Sequence, residues 1–254
     1  MGNYLLFRLY GPLAAWGTIA VGQERPSDAY PGKSAILGLL AAAMGVKRDE
    51  EEVHQRMAMA YGFAVRVDAP GLLLRDYHTA QVPPERRKTL HCTRRDELLA
   101  SELNTILSTR EYRCDALYTV ALWSKIQQEA PFTLGALAEG LEKPCFTLYL
   151  GRKSCPLALP VQVTVLTTEN LETAFAQACF KDDVDLKQKL TGKNIDLRMR
   201  FNGALLYWET DVDPGNLVPL QTLTRRDYPL SRQRWQFAER SEHQGRLPSL
   251  GKEE

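Results

Sequence analysis

The chain has 254 residues, 44% of them apolar and 25% charged, which is enough for a full core and excludes a disordered protein. Lysine and arginine number 32 against 31 acids, a formal net charge of +1, so any nucleic-acid binding must come from local basic patches rather than bulk charge. Cys92, Cys114, Cys145, Cys155 and Cys179 contain no Cys-x-x-Cys pair, which argues against structural zinc and a disulfide framework and suits a reducing cytoplasm.

The apolar start Tyr4-Leu5-Leu6-Phe7 is interrupted by Arg8 and reads as a strand over 4–10 rather than a signal peptide. Uncharged runs such as Leu9 to Gln23 contain Gly and Pro and are too short to span a bilayer, so a soluble cytoplasmic protein with no membrane contact is expected. After Gly11-Pro12 a loop rich in Gly, Pro and polar residues runs to Gly32. Ile36, Leu37, Leu39, Leu40 and Met44 have helical spacing, with Gly45 as the stop. Asp49 is placed to cap a second helix with Glu50, Glu51 and Glu52 in its first turn.

Two strands are expected at 62–68 and 72–82, joined at Pro70-Gly71. Residues 83–110 then break the pattern with Pro83-Pro84, a basic run and a short amphipathic stretch, as an insertion leaving and rejoining the sheet would. Alternation resumes from Tyr112 to Trp123, and Phe132 to Leu141 reads as a helix closed by Lys143-Pro144. The order strand, helix, strand, strand, helix, strand predicts an α+β, ferredoxin-like fold of the RNA-recognition-motif type over 1–158. From 159 to 240 the alternation of Val161, Val163 and Val165, a helix at 171–180 and short strands near 195–209 and 217–238 suggest a small, mostly β domain. The polar stretch 241–254, with Gly245, Pro248 and Gly251, reads as a flexible tail.

Pro31-Gly32-Lys33-Ser34 opens the first helix, but a phosphate-binding loop needs glycine where Ser27 stands, so a nucleotide-hydrolase reading is poor. A helix start with Lys33 and the Ser34 hydroxyl can still hold an anion; an ordinary capped helix accounts for the same residues. The run Glu85 to Arg95 carries five Lys/Arg against one acid and suits a finger that tracks a backbone and wedges between bases, or equally a solvated loop tip. Tyr149 precedes Gly151, Arg152 and Lys153, which fits close backbone approach to a phosphate, or a basic turn. Arg225-Arg226-Asp227 and Arg232 to Trp235 again set cations beside aromatics, as protein interfaces also do. His78 beside Tyr77, and His91 near Lys88, are the groups that resemble acid–base chemistry; a binding role is the plainer reading. The acids gather at a helix start, which gives a metal-dependent nuclease little support, and neither a metal nor another cofactor is expected.

Gly11 to Gly17, Arg25-Pro26, Pro31 to Leu40, Leu74 to Thr79, Tyr112 to Asp115, Tyr149 to Leu157 and Arg225-Arg226-Asp227 with Trp235 together resemble the CasD family, in its order and over nearly the whole chain. The resemblance implies a modified RNA-recognition-motif domain, a protruding thumb where 83–110 lies, and a small C-terminal β domain. It implies a non-catalytic subunit of type I-E CRISPR Cascade that caps the 5′ handle of crRNA, docks a neighbouring backbone subunit and the large subunit, and meets target DNA indirectly. On that basis handle binding is expected at Arg25, Lys33, Ser34, His78, Tyr149, Arg152 and Lys153. The wedge is expected at Arg86, Arg87, Lys88, Thr89, His91, Arg94 and Arg95. The aromatic sheet motif of ordinary RNA-recognition domains is not recognisable, so bases need not stack on the sheet. A metal-independent ribonuclease that processes CRISPR repeats is the alternative.

Overall fold

The computed structural model describes residues 1–85, 90–126, 128–180 and 203–247. Strand β1 (Gly2–Tyr10) alternates Leu5, Phe7 and Leu9 against Tyr4 and Leu6, and both sets are buried. The expected loop after it contains four two-residue strands: β2 (Leu13–Ala14), β3 (Trp16–Gly17), β4 (Glu24–Arg25) and β5 (Ser27–Asp28). Helix α1 (Lys33–Ala43) follows, and Gly45 with φ +76° ends it, letting the Val46 N–H reach the Ala41 carbonyl at 2.9 Å. Helix α2 (Glu51–Ala60) is capped by Glu50 instead of Asp49, and the Glu50 carboxylate accepts the Lys47 N–H at 2.6 Å.

Next come β6 (Tyr61–Ala69), β7 (Leu72–Val82), α3 (Arg94–Leu98), β8 (Asn104–Cys114) and β9 (Leu117–Ser124). Helix α4 (Leu134–Glu142), β10 (Val163–Thr168) and α5 (Leu171–Gln177) lead to β11 (Leu205–Glu209), β12 (Gln221–Ser231) and β13 (Gln236–Arg246).

Seven strands form one antiparallel sheet in the order β10-β1-β9-β6-β11-β13-β12. Within it β1, β6, β9 and β10 are linked by α1 with α2 and by α4, two interleaved β-α-β crossovers. The division expected at 158/159 is not a break in this sheet: β10 pairs with β1, and β11 pairs with β6. The flexible tail also needs correction. Residues 241–246 belong to β13, hydrogen-bonded to β11 on one side and β12 on the other, and 248–254 lie outside the described residues.

Helices α1, α2 and α4 pack Ile36, Leu40, Met57 and Leu137 onto one sheet face, against Phe7, Val65, Val120 and Leu122. On the other face α5 and Phe180 cover Tyr4, Leu6, Trp123 and Trp208. Each fully buried side chain of this size contributes about 1.5–3 kcal/mol. Among the described residues, both faces are thus covered over β1, β6, β9 and β11, whereas β12 and β13 keep exposed side chains such as Thr222, Thr224 and Arg226.

Strand β7 does not join this sheet. It pairs with β8 over eleven register positions, Leu72 opposite Cys114 to Val82 opposite Asn104, so the ribbon of β6 and β9 continues as a hairpin. The bend lies where Gly71 has φ +63° and Asp115 has φ 54°; a Cβ on Gly71 would overlap the Cys114 carbonyl. The excursion therefore begins at 72 and returns at 114, wider than the 83–110 expected from the break in pattern. Regular alternation along 72–82 and 104–114 fits either sheet, and only pairing distinguishes them.

Candidate nucleic-acid interface

The start of α1 is occupied from within the protein. Asp227 on β12 accepts the Lys33 N–H at 2.7 Å, and a Cβ on Gly32 would overlap that carboxylate. Two bonds from Arg240, 2.6 and 2.9 Å, hold Asp227 in place. Burial alone would raise the Asp227 carboxyl, but Arg240 and Arg225 keep it below the ordinary carboxylate range. The Lys33 ammonium is buried, 2.8 Å from Glu209 Oε1, and Lys125 reaches the other oxygen at 2.5 Å. Burial pulls Lys33 below its ordinary pKa, against the pull of Glu209.

The expectation of an exposed anion site at Lys33 is thus corrected: the β12–β13 hairpin supplies its own anion, which sequence spacing could not reveal. Ser34 is half-buried, and its carbonyl accepts from the Arg232 guanidinium. The same hairpin places Arg225 4.4 Å from the Tyr30 ring, which stacks on Tyr207 at 3.6 Å and donates to Glu242 at 2.5 Å.

A second sheet, β2-β8-β4 with β7 on the far side of β8, carries two of the expected residues, Arg25 on β4 and His78 on β7. Arg25 is the parallel register partner of Arg110, and Arg110 is the antiparallel partner of Asp76. Direct partners point to one face, and on β7 the residue two along from Asp76 is His78, opposite Ser108. His78 Nε2 contacts the Asp76 carboxylate, and both side chains are 42% exposed, leaving the imidazole oriented but accessible. Arg25 and Arg110 are exposed; Arg25 Nη1 donates to the Gly22 and Glu24 carbonyls at 2.7 and 2.8 Å, which fixes its loop. Tyr77 points to the opposite face from His78, with Arg75, whose guanidinium bonds Glu111 at 2.9 Å.

Arg152 borders this face by reaching across it. Its guanidinium lies 4.7 Å from the Tyr112 ring and donates to the Glu111 carbonyl at 3.3 Å and the Arg25 carbonyl at 3.1 Å. Both of these acceptors are backbone, so Arg152 positions β4 against β8. The turn carrying it is held under the first loop: Leu150 accepts the Ala15 N–H at 3.0 Å, and Gly151 has φ +85° with its Cα against the Ala15 carbonyl. Lys153 is exposed next to it, and Tyr149 is 37% exposed and bridged to Pro156.

Of the expected wedge, Arg86, Arg87, Lys88 and Thr89 lie outside the described residues. His91 is half-buried; Arg94 and Arg95 are exposed on α3, with Arg94 paired to Glu97 at 2.6 Å and bonded to the Gln81 carbonyl of β7. Leu90 is 88% exposed at the same end of the hairpin. Sequence reasoning missed Arg110, which it left inside the irregular insertion. The signal was present in the alternation Ser108, Arg110, Tyr112, which continues the pattern of Tyr112 and Cys114. Among the described residues no three His, Cys, Asp or Glu side chains converge as metal ligands, and no helix is long and apolar enough to cross a membrane.

Residues 4–242 match the family described as CRISPR-associated protein (Cas_Cas5). The CRISPR system Cascade subunit CasD of Escherichia coli strain K12 is 38% identical over 161 residues, which cover 63% of this chain and 70% of that protein. A solved CRISPR RNA-guided surveillance complex contains a chain that matches 97% of this one, with 91% of its own length covered, a TM-score of 0.61 and 24% identity, a likeness of fold. A crystal structure of a Cas protein matches with a TM-score of 0.60 and 26% identity, over 97% of this chain and 95% of that one.

Proposed function

This chain belongs to the Cas5 family of CRISPR-associated proteins, the family of the Cascade subunit CasD, and from that premise we propose that it is a non-catalytic subunit of a type I-E Cascade that caps the 5′ handle of crRNA. In this reading the four-strand β-α-β-β-α-β unit is a modified RNA-recognition motif and the β7–β8 hairpin is its thumb. The cytoplasmic chain docks the adjacent backbone subunit and the large subunit, and reaches target DNA through the complex.

The observation that carries the reading is the row Arg25, Arg110, Asp76 with His78, set on an accessible sheet while the central strands of the main sheet are covered on both faces. Cations on adjacent strands can follow successive phosphates, and an oriented imidazole can hydrogen-bond a base edge or a 2′-hydroxyl. Lys153 extends the face beyond the Arg152 tether, Tyr149 lies instead towards Arg232, and the basic hairpin tip tracks the guide where it leaves the handle.

The contact between His78 and Asp76 is what favours a second reading, ribonuclease cleavage of the repeat by a carboxylate-oriented histidine. Tyr77 is on the opposite face, so a Tyr–His pair does not converge there. Incubating the purified chain with labelled CRISPR-repeat RNA in EDTA separates the two. Handle binding without cleavage is expected; a single defined cut that His78→Ala abolishes would replace the cap with the enzyme. Replacing Arg94 and Arg95 together by alanine is expected to flatten log affinity against log salt by roughly one unit for each phosphate no longer neutralised, and an unchanged slope removes the phosphate-tracking role of the tip.

A further inference from the structure

The chain has four tryptophans, and three of them, Trp16, Trp123 and Trp208, are buried; Trp235 is 58% exposed at the turn between β12 and β13. Its backbone has φ 58°, the left-handed region in which a bulky side chain carries a cost that glycine or asparagine would avoid. The turn is over-determined by its surroundings. Glu51 on α2 accepts the N–H groups of Arg232 and Gln233, each at 3.2 Å, Ser231 accepts that of Arg234 at 3.0 Å, and the Arg232 guanidinium bonds the Ser34 carbonyl. Strain held in place at an exposed aromatic residue points to a function for the ring.

We propose that Trp235 is a stacking platform for a base of single-stranded nucleic acid, a contact separate from the face on β4, β8 and β7. The Arg48 guanidinium lies 4.6 Å from the indole centroid and Phe237 meets it edge-on at 5.6 Å, so the ring is fixed in orientation before any ligand arrives. Arg226 and Arg234 are exposed nearby on the same hairpin, and Arg226 is bonded to the Phe237 carbonyl at 3.2 Å. Beside the turn lies a groove of about 360 Å³, lined mostly by polar groups, among them Gln55, Gln233, Arg234 and Gln236. Trp beside Arg also suits a protein interface, and Phe237 at the ring and Leu230 in the groove are the apolar neighbours here. The guanidinium groups and amides match phosphates and base edges, and Glu51, the acid in the groove, is already engaged by the turn.

The test uses the full chain and a single-stranded oligouridylate of about twelve nucleotides, a length within the span one protein module covers. Because the other three tryptophans are buried, the acrylamide-accessible emission reports Trp235. The oligouridylate should quench that emission and protect it from acrylamide, while a duplex of equal length does neither. Trp235→Gly should weaken binding about tenfold or more, the loss expected for one stacked base, yet leave the melting temperature unchanged or higher because the backbone relaxes. Quenching should persist when Arg110→Ala is introduced, which keeps this result apart from the fate of the handle face. The proposal falls if the oligouridylate leaves the accessible emission untouched, or if Trp235→Gly binds as the parent does. It also falls if Trp235→Gly loses only its retention by partner subunits, in which case the turn is a protein-docking site.

Discussion

Lys33 Nζ lies 2.8 Å from Oε1 of Glu209, inside the protein, and so joins the first residue of α1 to the last residue of β11. Glu209 also holds Lys125 at 2.5 Å, and Lys125 contacts Asp211. The cation that opens the most conspicuous motif of the sequence is therefore a tie between the helical layer and a strand from late in the chain.

Breaking this tie should act on stability. Lys33→Ala leaves Glu209 buried with Lys125 as its remaining cation and is expected to cost about 3 kcal/mol, whereas Lys33→Met, which keeps the stem packed, should cost less. Urea denaturation midpoints check both. Equal and negligible losses would mean that the buried pair does not brace α1.

Acid should weaken the fold through His54. Its Nε2 lies 2.9 Å from the Lys47 carbonyl, and burial, aided by Arg232, holds its pKa below the ordinary 6.5. The folded value is the lower one, so between it and 6.5 the unfolded chain binds more protons, and stability is lost as pH falls below 6.5. The pH dependence of the melting temperature between 7 and 5 should flatten in His54→Gln. A slope equal to that of the parent chain would assign the effect to other groups.

Arg110 and Arg152 should behave differently in RNA binding. Arg110→Ala removes an exposed cation and should lower the salt slope by about one. Arg152→Ala removes the tether to the Glu111 and Arg25 carbonyls, so affinity should fall with a smaller change in slope. Arg152→Lys should not restore it, because one ammonium cannot reproduce the fork stacked on Tyr112. Identical slopes for all three variants would contradict the division into a contact and a positioning residue.

Gly151→Ala is expected to destabilise the chain by about 2–4 kcal/mol, since φ is +85° and the new Cβ would collide with the Ala15 carbonyl. Thermal unfolding measures it. A loss below about 0.5 kcal/mol, the usual scatter of surface changes, would mean the turn can move away from the first loop.

Local order was legible in the sequence because it depends on neighbours in the chain. Alternation placed β1 and β9, the 3.6-residue period placed α1, and Gly45 marked its end. The basic character of the hairpin tip and the family resemblance were likewise written in contiguous residues. Pairing was decided only in three dimensions. Strand period is two in any sheet, so nothing along 72–82 says that β7 leaves the main sheet to run beside β8, and Arg110 could not be set between Arg25 and Asp76 until that register existed. Burial of charge followed the same rule. Lys33 looked exposed because its neighbours are loop-like; it is buried because Glu209, 176 residues further along the chain, supplies the anion that makes a buried ammonium tolerable, while Asp227, 194 residues further, takes the backbone N–H.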